Sequence, residues 1–248
     1  MIMLEKVSEI IVSSKHLTAL TGAGVSAESG IPTFRDEDGL WKRYRPEELA
    51  TPEAFARDPE FVWKWYAWRM KKIFSARPNP AHEGFAELER MGILKTLITQ
   101  NVDDLHERAG SKNVIHLHGK IRILRCIKCG KEIEISSPPE IPPLPRCECG
   151  SLLRPGVVWF GEPLPERELE MAEKEALRSD VMIVAGTSAL VQPAASLPLL
   201  TKKNGGIIIE INPKDTPLSP FSDFKIRMKA GDAMRALLEN IRKLVRKD

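Results

Sequence analysis

The chain has 248 residues, 42 % of them hydrophobic, enough for one large domain with a smaller module inserted. Its 37 basic and 34 acidic residues give a formal net charge of +3, a near balance with no direct nucleic-acid site evident in it. No run approaches the roughly 18 apolar residues of a membrane span, and the first residues, Met1 to Lys15, read as an amphipathic helix without a signal-peptide core, so a soluble cytoplasmic protein with no membrane partner is expected.

The first apolar run, residues 17–20, reads as a buried strand that feeds Gly22-Ala23-Gly24-Val25-Ser26-Ala27. A strand followed by Gly-x-Gly-x-x-Ala brings a backbone close to a pyrophosphate, with free N–H groups facing the anion. A dehydrogenase would carry an acidic residue closing a second strand about 20 residues on. Here the sequel is the polar loop Pro32-Thr33-Phe34-Arg35-Asp36-Glu37-Asp38-Gly39-Leu40-Trp41, so the glycines indicate a dinucleotide while their sequel argues against ordinary hydride transfer. Residues 46–76 follow, helical and rich in aromatics, with Tyr66 and Arg69 at i and i+3 on one helix face. A phenol beside a guanidinium fork suits a carboxylate; the plainer alternative is an aromatic-rich helix with a surface Arg.

Further strands are expected at 94–98, 114–117, 181–185, 207–211 and 224–228, with helices at 81–91, 166–177 and 232–245. This alternation predicts an α/β fold, a Rossmann-like parallel sheet with helices on both faces. Two stretches do not fit the sheet: 46–76, and 121–153 with all four cysteines and a Pro-rich linker. They are expected to form a small lobe made of a helical insertion and a zinc-ribbon insertion, leaving 1–45, 77–120 and 154–248 to the large domain. A ligand then belongs at the carboxyl ends of the strands, beside that lobe.

Cys126-Ile127-Lys128-Cys129-Gly130 and Cys147-Glu148-Cys149-Gly150 are two knuckles, each closed by a glycine that permits the turn aiming two thiolates at one ion. One structural zinc on Cys126, Cys129, Cys147 and Cys149 is the preferred reading; its rivals are a redox Cys-x-x-Cys or two disulfides. Gln100, Asn101 and Asp103 follow the strand at 94–98, and helix capping accounts for one of them but not for all three. The next strand ends in His116-Leu117-His118-Gly119, where alternation sets both histidines on one face. His118, before a glycine, is the candidate general base, and a metal on the two histidines would lack a third ligand. Val158-Trp159-Phe160-Gly161-Glu162, between Pro155 and Pro163, reads as a linker strand or as an exposed edge that pairs with an extended peptide. Gly186, Thr187, Ser188, Asn212 and Pro213 end two strands and suit phosphate and ribose contacts, while Ala230-Gly231-Asp232 caps the last helix.

In this order the segments resemble the sirtuins, NAD-dependent protein-lysine deacylases, over roughly residues 17–233. The resemblance rests on the run from Gly22 to Arg35, Thr99-Gln100-Asn101-Val102-Asp103, His118-Gly119, the four cysteines, Val158 to Glu162, and Gly186-Thr187-Ser188. It implies NAD as co-substrate, held by Gly22, Ala23, Gly24, Glu28, Ser29, Ile31, Pro32, Thr33, Phe34, Arg35, Trp41, Gln100, Asn101, Val102, Asp103, Gly186, Thr187, Ser188, Asn212, Pro213, Lys214 and Ala230. Phe34 would shield the reactive ribose face. Asn101 and His118 would be catalytic, His118 as general base, and Val158, Phe160, Gly161 and Glu162 would wall the peptide slot. Tyr66 and Arg69 resemble the pair found in the sirtuin class that removes succinyl and malonyl groups.

The implied chemistry is loss of nicotinamide, attack of the acyl oxygen on C1′ to give an alkylimidate, and transfer to the 2′-oxygen. Water then releases free lysine and 2′-O-acyl-ADP-ribose. Implied partners are acylated-lysine proteins or peptides, a chromatin protein among the admissible substrates. The alternatives are protein mono-ADP-ribosyl transfer by the same NAD cleavage and a non-catalytic zinc-ribbon binding module. Two features depart from the family pattern: Cys147-x-Cys149 is shorter than the commonest spacing, and Lys120 stands where a small polar residue is usual.

Overall fold

Apolar runs too continuous to leave a wet face require a sheet covered on both sides. Six strands form it in the order β3-β2-β1-β7-β8-β9, all parallel: β1 (Leu17–Thr21), β2 (Leu94–Thr99), β3 (Val114–His116), β7 (Val181–Ala185), β8 (Ile207–Ile211) and β9 (Phe224–Ile226). A second, antiparallel sheet has the order β5-β4-β6, from β4 (Gly119–Cys126), β5 (Glu132–Glu134) and β6 (Leu153–Val157). The structure, a computed structural model, describes residues 2–34 and 39–246; Arg35 and the side chain of Trp41 lie outside the described residues.

Strand period two divides the large core. In β7, Val181, Ile183 and Ala185 join one cluster and Met182 and Val184 the other. The first is covered by helices Ile2–Ser13, Pro80–Arg90 and Ala230–Val245 through Val7, Ile11, Phe85, Leu88 and Leu237. The second is covered by Glu166–Arg178 and Leu197–Lys203 through Ala172, Ala176 and Leu197. A third cluster lies outside the large sheet, where Trp63, Trp65, Tyr66 and Met70 of the helix Pro59–Ser75 pack on Ile121, Leu124, Leu153 and Val157 of the second sheet.

Three local expectations are corrected. β3 ends at His116, so His118 lies beyond the strand and the two histidines do not share a strand face. The apolar strand near Pro155 is β6, which contains Pro155 opposite Leu124; 158–162 follow it as a loop. An edge strand tolerates a residue with no N–H to donate, and β6 is an edge. The last helix begins at Ala230 without a side-chain cap of its own. Instead Glu28, 203 positions earlier, accepts the Gly231 N–H at 2.8 Å through Oε2.

β1 and β7 turn away at their carboxyl ends through glycines that leave no room for a side chain. A Cβ on Gly24 would lie 2.8 Å from the Gly186 Cα, and one on Gly186 would lie 2.5 Å from the Val25 nitrogen. Gly186 also has φ +60°, a left-handed conformation that glycine adopts freely. The N–H groups of Gly22 and Gly24 donate to the carbonyls of Ala185 and Gly186, at 3.1 and 2.8 Å. Those two N–H groups are thus occupied within the protein, contrary to the expectation that they face an anion.

In the small sheet the four cysteine sulfurs lie within 4.8 Å of one another, and none is in a disulfide. Cys126 Sγ is 3.5 Å from Cys149 Sγ and Cys129 Sγ is 3.7 Å from Cys147 Sγ. A tetrahedral site with Zn–S bonds of about 2.3 Å separates its sulfurs by about 3.8 Å, so the donor set fits one zinc ion. The short Cys147-x-Cys149 spacing is accommodated by a turn in which Gly150, at φ +83°, donates to the Cys147 carbonyl.

Two outcomes are expected. Gly24→Ala should cost about 1–3 kcal/mol of unfolding free energy, the usual penalty of overpacking, measured by urea denaturation; an unchanged midpoint would show that the turns separate freely. Elemental analysis should find one zinc per chain, and Cys147→Ser should lose it and melt the small lobe at lower temperature. A disulfide in the purified protein would refute the zinc assignment.

Candidate active site

The strand order reverses between β1 and β7, and a cleft is expected at such a switch point. A cavity of about 1300 Å³ opens there, between the carboxyl ends of the large sheet and the small lobe. The expected cofactor and substrate residues whose side chains are described all line it, with Ser29 the exception. Ser29 is turned away and its hydroxyl accepts from Asn79 Nδ2 at 2.9 Å.

The loop after β2 forms a polar wall. Gln100 Nε2 donates to Thr187 Oγ1 at 2.9 Å, joining the ends of β2 and β7. Asn101 Nδ2 donates to Ser26 Oγ at 3.1 Å, and that hydroxyl donates to Asp103 Oδ2 at 2.9 Å. Asp103 Oδ1 also accepts the Leu105 N–H, so this residue does begin the next helix turn as well as face the cavity. Burial pushes the Asp103 carboxyl above the usual carboxylate range, against the hydrogen bonds from Leu105 and Ser26 that stabilise its charge. Behind Ser26 lies His82 Nε2 at 3.3 Å; burial, then Arg108, lowers this imidazole to about 4. Ser26 and His82 are residues that sequence reasoning did not single out. Ser26 sits inside the glycine run, which was the available signal; His82 reads as one more polar residue of a helix.

His118 is half-buried on the cavity wall. Its Nδ1 lies 2.9 Å from the Gln100 carbonyl, which only accepts, so Nδ1 carries the hydrogen and Nε2 keeps its lone pair. Burial lowers its pKa below 6.5, and the Gln100 bond opposes that shift without overcoming it. The ring is therefore neutral at pH 7 and competent as a base. His116 is different: its ring nitrogens reach the Asn101 carbonyl at 3.2 Å and Glu107 Oε1 at 2.7 Å, which occupies both. Lys120 also pairs with Glu107, at 3.2 Å, on the outside of this pair.

Two further walls face these, the 158–162 loop and the aromatic helix Pro59–Ser75. Val158 N–H donates to the His118 carbonyl and Phe160 N–H to the Ala50 carbonyl, both at 2.9 Å, which suspends the 158–162 loop between the two parts of the protein. Arg69 is 7 % exposed, yet among the described residues no carboxylate lies in ion-pair range of it. Its guanidinium instead lies 4.8 Å from the rings of Phe34 and Trp65. Tyr66 is buried beside it, and its hydroxyl accepts from Trp159 Nε1 at 2.8 Å. At the far end Asn212 Nδ2 donates to the Thr187 carbonyl, and Lys229 and Ala230 close the wall.

A match to the Sir2 family spans residues 22–193. The chain is 68 % identical over 240 residues to NAD-dependent protein deacylase 1 of Archaeoglobus fulgidus, covering 96 % of this chain and 98 % of that protein. It is similar to a solved Sir2 homologue–NAD complex with a TM-score of 0.94 and 67 % identity, over 97 % of this chain and 94 % of the other. A Sir2 structure with deacetylated p53 peptide and 3′-O-acetyl ADP ribose has a TM-score of 0.88 and 36 % identity, over 95 % and 97 % of the two chains. These matches cover the elements that build the cavity, and the chain belongs to the Sir2 family.

Proposed function

We propose that this chain is an NAD-dependent protein-lysine deacylase that yields nicotinamide, free lysine and 2′-O-acyl-ADP-ribose. The observation that carries the reading is the single cavity shared by the glycine turns, the Gln100–Asp103 loop, His118 and the 158–162 loop. The name of the Archaeoglobus relative and the ligands of the two similar structures support it. Four cysteines gathered for one metal suit a reducing, cytoplasmic compartment. Residues 46–76 and 121–153 are read as the small lobe, and the remainder as the NAD-binding domain.

NAD supplies an activated glycosidic carbon and, in ADP-ribose, the acceptor for the acyl group. The chain's own residues do the rest. Gly22, Ala23 and Gly186 to Ser188 bring backbone to the phosphates, and Asn212 and Ala230 receive the adenosine half. Asn101 and Asp103, pinned through Ser26, present a rigid polar surface to the nicotinamide half. Phe34, stacked on Arg69, covers the cavity with an apolar face that keeps water from the reacting carbon. His118 Nε2 takes a proton from the ribose hydroxyls. The 158–162 loop lies alongside the acylated peptide, with the substrate lysine directed inward.

Tyr66 and Arg69 extend the proposal to acidic acyl groups. A guanidinium buried among rings, with no carboxylate in ion-pair range among the described residues, is matched by the carboxylate of a succinyl or malonyl group. Acetyl removal stays within reach, since Arg69 keeps its aromatic contacts.

Incubation with NAD and matched acetyl-, succinyl- and malonyl-lysine peptides should release nicotinamide and O-acyl-ADP-ribose together, as followed by mass spectrometry. Nicotinamide release with the peptide still acylated would replace this reading with ADP-ribosyl transfer. Arg69→Met should lower kcat/KM for desuccinylation at least about tenfold while deacetylation changes little; equal losses would remove the acyl-reading role. The acid limb of the kcat/KM profile should have its midpoint below pH 6.5, because protonating His118 removes the base and burial holds its pKa down. A midpoint above that value would assign the limb to another group.

A further inference from the structure

Arg154 lies beneath the 158–162 loop and takes no part in the chemistry above. It is 6 % exposed, and a buried guanidinium must be both paired and hydrogen-bonded to be tolerated. Its fork meets both oxygens of Glu162: Nη1 donates to Oε1 at 2.5 Å and Nη2 to Oε2 at 2.9 Å. Nη2 also donates to the Val157 carbonyl at 2.9 Å. The guanidinium carbon lies 3.4 Å from the centre of the Trp159 ring. Glu162 Oε2 accepts the Trp159 N–H at 2.8 Å, which folds the loop back on itself.

Both ends of the loop therefore meet at one side chain. Val157 and Glu162 are tied to Arg154 by hydrogen bonds, and Trp159 between them rests on its flat face. The Trp159 indole in turn donates to the Tyr66 hydroxyl at 2.8 Å. Glu162 has both carboxylate oxygens engaged inside the protein, so what it offers a substrate is its main chain.

We propose that Arg154 is a positioning residue for the acylated peptide, which acts by holding the 157–162 loop in the shape that receives the substrate. This inference rests on the deacylase reading. A planar fork can grip both carboxylate oxygens, a carbonyl and a ring face together; a lysine, with one ammonium, cannot. Outside Arg154 the loop is held mainly by two main-chain bonds, Val158 N–H to the His118 carbonyl and Phe160 N–H to the Ala50 carbonyl, and by the half-exposed Arg125 at 3.8 Å from Glu162, so loosening Arg154 displaces the peptide wall and leaves the glycine turns that serve NAD in place.

The test is steady-state kinetics of Arg154→Lys and Arg154→Met with an acetyl-lysine peptide, varying peptide and NAD separately. NAD binding is measured by calorimetry and folding by thermal melting. Arg154→Lys should raise the peptide KM about tenfold or more, with NAD affinity changed less than about twofold. A folded Arg154→Lys protein with the wild-type peptide KM overturns the proposal, and so does a parallel rise in both KM values, which marks general loosening. If Arg154→Met does not fold, the lysine variant alone decides. Failure of the wild-type protein to deacylate peptide with NAD would instead overturn the deacylase reading.

Discussion

At the centre of the molecule two backbones touch. The turn after β1 rests directly on the turn after β7, Gly24 against Gly186, with no side chain between them. Contact at this distance fixes how the chain departs from the sheet on either side of the switch point. Because the two turns are locked together by the Gly22 and Gly24 N–H groups, the floor of the cavity is a rigid double turn. The Gln100 bond to Thr187 adds the end of β2 to the same unit. The glycine turns, Gln100 and Thr187 all line the cavity from this unit.

A second feature follows from burying so many polar groups next to that floor. Asn101, Asp103, Ser26 and His82 are all nearly or fully excluded from water, and each finds a partner among the others. Satisfied in this way, a polar cluster in a low-dielectric setting is stiff, since moving any member leaves another unpaired. The same setting shifts the ionisable groups in opposite senses. It raises Asp103 and lowers His118, because burial disfavours the charged form of each.

Much of this was legible in the sequence where one residue type satisfies one demand. β7 and β8 were expected with their observed ends, because the apolar run Val181–Ala185 after Asp180, and the run of three isoleucines after Gly206 that Glu210 interrupts before Ile211, leave little choice. The cysteine knuckles announced their own cluster through spacing and the glycines that follow them. His118 was singled out through its glycine and its neighbouring polar loop, and it lines the cavity. What escaped depended on contacts between distant segments. The cap on the last helix comes from Glu28, which no local pattern displays. The role of Arg154 escaped because its partner, eight residues on, meets its fork only once the loop has folded. The N–H groups of Gly22 and Gly24 were assigned to a ligand, because the carbonyls that take them arrive from residues 185 and 186.

The position of β1 in the sheet bears on the order in which the protein is made. Of the six strands this one is made first, yet its two neighbours begin at Leu94 and Val181. Neither of its edges can be paired until long stretches of later chain exist, and the second must wait for residues 181–185. The pairing closes very long loops, which places the protein among slow-folding, non-local topologies. During that interval the apolar strand and the glycine turn behind it stand open, and the helix Ile2–Ser13 lacks the helix Ala230–Val245 against which it finally packs. The nascent chain is thus exposed to mispairing until β7 has been made, and the cleft takes shape only after that.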